Sequence, residues 1–195
     1  MSAIGRVATC GALFVLVVGV GCAQTQKKDS PDLRAQDYWP LEVGNAWKYR
    51  IQHGGALQEQ RVSIVSKNAE GFFVDSEGAS LQQHPAGLFD GQRFLLRDPL
   101  ELGAKWTAVP SANSLERFEI VAIDFNATVP AGIFERCVRV RATNRINDQE
   151  SYVGEWTYAP GVGLILYQSR HEIAGRPAKP QTEMQLLSFE LKNGA

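Results

Sequence analysis

The sequence predicts an all-β fold: a single antiparallel meander sheet curled into an open or closed barrel, with a strongly bent β-sandwich as the rival. Three observations carry this. No stretch beyond residue 40 sustains apolar residues at helical spacing. Short β-branched and aromatic runs recur instead, separated by turn signals rich in Gly, Pro and Asp. Several of those runs are apolar on both faces, and no amphipathic helix is present to cover a second face. Curling the sheet on itself is then the economical way to bury them.

The elements follow in chain order. "WKYRI" (47–51), "RVSIV" (61–65) and "FFVDS" (72–76) are strand runs, with "NAEG" as the turn between the last two. "LFDGQRFLL" (88–96) sets Asp90-Gly91 between apolar residues, a strong hairpin signal. In "ERFEIVAIDF" (116–125), Phe118 and Ile120 point one way and Val121, Ile123 and Phe125 the other, so this strand is covered on both sides or bulged. "VPAG" (129–132) has the Pro and Gly placement of a type I turn and feeds "IFERCVRVRA". "APGVG" (159–163) separates "SYVGEWTY" from "LILYQS", and "MQLLSFEL" (184–191) ends the pattern. The count is about nine strands joined by short turns, with irregular pieces at 107–114, 142–150 and 174–181.

A phrase repeats. "PLEVGNAW" (40–47) and "PLELGAKW" (99–106) share Pro, Leu, Glu, Gly and Trp at a 59-residue offset. Pro stiffens the approach, Gly permits a tight bend, and Trp anchors the next strand in the core rather than serving as a ligand platform. The flanks do not repeat, so two duplicated domains do not follow.

Composition bounds the rest. The chain has 195 residues, enough for one domain with a real core. Its formal net charge is -1, and without residues 1–21 it keeps 19 basic and 21 acidic side chains. That balance offers no basic field, and nucleic acid is not an expected partner. Of the three cysteines, Cys10 and Cys22 lie in or at the end of the N-terminal apolar run, so Cys137 is alone in the folded part and no internal disulfide framework can form.

The N-terminus gives the chain its address. Arg6 is the one charge before residue 27, and Val7–Gly21 is apolar or small apart from Thr9, too short to span a bilayer but suited to a secretory signal. Cleavage before Cys22 resembles the lipobox of bacterial lipoproteins, in which the cysteine sulfur is lipidated. The match departs from the usual pattern at Gly19 and Val20. Cleavage after Ala23 would instead release a soluble protein. The expected organisation is residues 1–21 as a lipoprotein signal peptide, 22–37 as a lipidated N-terminus (lipid on Cys22) and flexible tether, and 38–195 as the β domain. The resemblance implies a cell-envelope protein held on a membrane by its lipid. In an envelope with two membranes, Ala23 in place of Asp implies the outer membrane, facing the periplasm.

"DYWPLEVGNAWKYR", "LLRDPLELGAKW", "TVPAGIFERCVRV" and "YAPGVGLILY" together resemble a loosely defined set of exported bacterial lipoproteins that brings no settled activity and no functional residues. More distantly, the shape is similar to the half-barrel lipoprotein carriers and acceptors LolA and LolB, but the helices that cover those barrels have no counterpart here. Catalytic patterns are missing. His53, His84 and His171 lack metal-ligand spacing, HExxH, GxSxG and the P-loop do not occur, and "GVGLIL" lies in a hairpin rather than before a helix. Cys137 shares a face with Glu135, Arg139 and Arg141, yet a small packed cysteine explains it better than a nucleophile. The arginines of 136–145 suit an exposed strand face as well as anionic headgroups. The expectation is therefore a non-enzymatic lipoprotein, without a cofactor, whose β domain binds an apolar ligand or lipid. The alternative is an assembly lipoprotein that docks an envelope protein, with an extracytoplasmic enzyme third. An open apolar groove favours the first and a filled core the second.

Overall fold

The computed structural model describes residues 32–111 and 114–192. Cys10, Cys22, the signal segment and the tether up to Pro31 lie outside the described residues. Twelve antiparallel strands follow one another as a meander. They are β1 (Ala46–His53), β2 (Ala56–Lys67), β3 (Phe73–Asp75), β4 (Ser80–His84), β5 (Gly87–Phe89), β6 (Phe94–Arg97), β7 (Lys105–Ser111), β8 (Ser114–Val129), β9 (Gly132–Arg145), β10 (Glu150–Ala159), β11 (Gly163–Ile173) and β12 (Lys179–Glu190). β1 pairs with β12 as well as with β2, so the sheet curls round until β6 and β7 are its two ends. The result is a barrel with one unsealed seam, as the meander pattern predicts.

The strand count exceeds the nine expected, and the reason is local. β4, "SLQQH", buries only Leu81, too little to register as a pattern. β7 replaces the irregular piece expected at 107–114, because its inward residues are Trp106 and the small Ala108. Strand pairing likewise extends into the pieces expected at 142–150 and 174–181. The expected turns hold: Val129 pairs with Gly132 around Pro130-Ala131, Ala159 with Gly163, and Phe89 with Phe94.

Bulges explain the strands that are apolar on both faces. The β8–β9 pairing shifts register three times between Ile120 and Ala127. Burial passes from the even-numbered Phe118 and Ile120 to the odd-numbered Val129, as an inserted residue requires. Among the described residues, Asp124 (φ 51°) and Arg136 (φ 55°) are the two non-glycine residues in the left-handed region, and they flank the bulged Phe125–Cys137 pair. On β11, Leu164 pairs with Tyr158 and Leu166 with Thr157, leaving Ile165 as the extra residue, wholly buried.

The repeated phrase does one structural job twice. Gly44 (φ 96°) and Gly103 (φ 82°) both take a conformation that L side chains rarely adopt. Each donates its N–H to an isoleucine carbonyl one strand over, Ile64 or Ile120, at 2.8 Å. Trp47 and Trp106 then turn into the core, and each indole donates to a carbonyl, Val162 O at 2.6 Å and Phe94 O at 2.8 Å. One copy opens β1 and the other β7, so each starts a six-stranded half of the barrel.

One end of the barrel is closed by the segment that precedes β1. A 3-10 turn at Ala35–Tyr38 lies across the hairpin ends. Arg34 donates to Pro85 O, Ala35 N–H to Asp98 Oδ1, Tyr38 OH to Arg136 O, and Gly161 N–H to Asp37 O. Residues 32–37, assigned to the tether by sequence, thus pack on the domain, and Ala35 is fully buried. The other end is uneven. β3–β6 have three to five residues each, whereas β8–β12 have 10 to 16, so the wall is low along one side.

Candidate functional site

A cavity of about 540 Å³ lies inside the barrel above the closed end. Its walls come from Trp39, Trp47, Tyr49, Leu95, Trp156, Leu164 and Met184. The low wall of short strands is what keeps it open, since three- to five-residue strands supply too few inward side chains to fill the lumen. A cavity of this size, mostly apolar with a few polar groups, is the usual form of a small-molecule site.

Aromatic side chains dominate the inner face. Trp106 stacks on Phe118 with centroids 5.3 Å apart and planes 5° from parallel. Phe118 continues to Trp156 at 6.4 Å, and Trp156 to Tyr167 at 5.0 Å. Trp39 meets Trp47 edge-on at 6.1 Å. Gly154 explains how Trp156 fits: the ring lies back along its own strand, and a Cβ at residue 154 would sit 2.6 Å from it. All four tryptophans of the chain therefore face inward, three of them onto the cavity. The Trp39 indole N–H is sealed from solvent and has no acceptor, in contrast with the paired donors of Trp47 and Trp106.

The cavity has one polar end, built from the β3–β4 and β5–β6 turns. Asp75, Ser80, Asp90 and Arg93 line it. Asp90 Oδ1 accepts the N–H groups of Gln92 and Arg93, which shapes the turn, while Arg93 Nε donates to Asp90 Oδ2 at 2.9 Å. Arg93 Nη1 donates to both oxygens of Glu116 on β8, at 2.8 and 2.7 Å. This ion pair crosses the unsealed seam, and with the Trp106 indole bond to β6 it ties the two ends of the sheet together. Burial works against the Arg93 charge, and the bonds it donates to Glu116 and Asp90 outweigh it, so the guanidinium stays protonated.

Other concavities differ in kind. One of about 630 Å³ lies by the β1–β2 turn and is lined by Gln52, Arg170, Lys179 and Glu183, and one of about 480 Å³ lies around the β9–β10 turn with Arg117, Arg145 and Arg176. Neither is lined by an aromatic side chain, and both carry charged ones. The outer face of the tall strands carries a charge ladder: Lys105 to Glu119, then Arg141 and Arg170 converging on Glu155, then Glu172. A wall so decorated faces water, not hydrocarbon.

The residues singled out by sequence are placed as follows. Cys137 is wholly buried, and burial pushes its thiol up to about 11, which suits packing and not nucleophilic attack. His53 hydrogen-bonds Thr182, His84 accepts the Ala86 N–H, and His171 stacks on Tyr152, so the three stay apart. No cluster of three His, Cys, Asp or Glu suited to a metal occurs among the described residues. The arginines of β9 are matched locally, Arg136 by Asp124, Arg139 by Thr157 and the Phe125 ring, Arg141 by Glu155, and Arg145 by Asp148 of the β9–β10 turn. Sequence reasoning missed Arg93, Glu116, Trp39 and Trp156. The one sequence signal toward them was the number of tryptophans in a short β chain.

No protein-family profile matches this chain, and no curated protein does. Two solved structures are similar. One is a candidate lipoprotein from Parabacteroides distasonis, with TM-score 0.40 and 14% identity over 78% of this chain and 98% of that one. The other is a candidate exported protein with a YmcC-like fold from Bacteroides fragilis, with TM-score 0.45 and 12% identity over 79% of this chain and 99% of that one.

Proposed function

We propose that this protein is a membrane-anchored bacterial lipoprotein whose extracytoplasmic barrel binds an apolar ligand in its lumen, without catalysis. The observation that carries the binding reading is the cavity of about 540 Å³, walled by Trp39, Trp47, Trp156, Leu164 and Met184. A barrel that served only as a docking block would gain stability by filling this space, because an apolar void costs contacts and burial. The anchor rests on the sequence around Cys22. Where the envelope has two membranes, Ala23 in place of Asp puts the protein on the outer one, facing the periplasm.

Two measurements test this. Cys22→Ala in the full chain should move the protein from the membrane to the soluble fraction, and retention on the membrane would overturn the anchor. Native mass spectrometry of that soluble form should then show apolar adducts that leave on collisional activation. A clean apo mass would count against ligand carriage and favour docking to an envelope protein.

A further inference from the structure

The polar end of the cavity holds more negative than positive charge, and this bears on what can enter. Asp75 and Asp90 line it with a single cation, Arg93, and Arg93 is in turn paired with Glu116. That cation is already engaged: Nε is held by Asp90 at 2.9 Å and Nη1 by both Glu116 oxygens at 2.8 and 2.7 Å. The Arg93, Asp90 and Glu116 side chains are only 31%, 20% and 16% exposed, so solvent screens the group incompletely. We propose that the lumen accepts uncharged or cationic apolar molecules and rejects anionic amphiphiles, fatty-acid carboxylates and phosphate-headed lipids included.

The argument is electrostatic. An anion brought to this end loses water and meets a cluster whose net charge is already negative, an arrangement that disfavours the wrong partner strongly. Arg93 offers it little, because Nε and Nη1 are already bonded to Asp90 and Glu116, which offset its charge. A neutral ligand avoids that cost, and a cation gains both from the carboxylates and from the half-buried rings of Trp39 and Trp156.

This inference rests on the lumen being the binding site, and the test separates the two. The soluble full-chain Cys22→Ala protein is titrated with N-phenylnaphthylamine, which is uncharged, and with anilinonaphthalene sulfonate, which adds a sulfonate to the same rings. Binding is read by energy transfer from the tryptophans. The uncharged probe should bind, and the sulfonate at least about ten-fold more weakly. Glu116→Gln should narrow that gap several-fold. Asp75→Asn, which keeps the oxygen that accepts the Glu77 and Ala79 N–H groups, provides the same reading should the seam variant fail to fold. Equal binding of both probes would overturn the charge selection and leave the cavity reading standing. Failure of both probes to bind would overturn the two together.

Discussion

At the scale of single residues, the four tryptophans have two different environments. Trp47 is almost fully buried, and its indole donates to Val162 O at 2.6 Å. Trp39 is half-buried, carries an unpaired donor, and rests its pyrrole edge on Gly163. Removing a paired buried donor leaves its acceptor orphaned, whereas removing an unpaired one leaves nothing behind. Trp47→Phe should therefore cost about 2–3 kcal/mol and Trp39→Phe about 1 kcal/mol or less. Chemical denaturation of the two variants gives the ordering. Equal losses would mean that the Trp39 indole has a partner in solution. The sequence exposed part of this: the repeated "PLEVGNAW" and "PLELGAKW" pointed to Trp47 and Trp106 as anchors. Trp39 and Trp156 carried no such signal, because their roles come from neighbours far away in the chain.

At the scale of elements, long strands are held on their outer face by cross-strand charges, with Glu155 at the centre. Burial tends to raise its carboxyl pKa, and the hydrogen bonds from Arg141 and Arg170 outweigh that, so it titrates below the ordinary range. A carboxylate depressed on folding stabilises the fold fully above its unfolded pKa of about 4.3. The contribution fades as pH falls through the lower folded value. Glu155→Gln should cost about 1 kcal/mol at neutral pH, with the two proteins converging in stability in strong acid. Denaturation midpoints measured from neutral pH downward would show it, and a gap that persisted in acid would assign the loss to packing. The bulged β8–β9 pair teaches a different lesson about legibility. Its two-faced apolar pattern was visible in "ERFEIVAIDF", with coverage on both sides or a bulge as the two readings. The choice fell to Asp124 and Arg136, whose left-handed backbone no residue type announces.

At the scale of the whole molecule, stability is not spread evenly around the barrel. β12 pairs along the whole of β1, while the β6 and β7 ends of the sheet are joined by the Trp106 indole bond and the nearby Arg93–Glu116 ion pair. Amides on the β6 and β7 edges should exchange with deuterium well before those shared by β1 and β12, since edge bonds open locally without global unfolding. Uniform protection would mean that the seam is sealed in solution.

The sequence by itself determined the class of fold, most turns and the likeness of the two Trp-bearing phrases. It also supplied the grounds for an anchor at Cys22. Those features are local, carried by alternation, turn chemistry and an apolar run read along the chain. Only the tertiary structure decided that the sheet nearly closes, that a preceding segment stops one end, and that the lumen stays partly empty. It also brought Arg93 to Glu116, 23 residues away, and Trp39 to Trp156 around one space. Closure depends on the summed twist and register of twelve strands, and a cavity depends on what inward side chains fail to fill. Neither quantity belongs to any one stretch of chain.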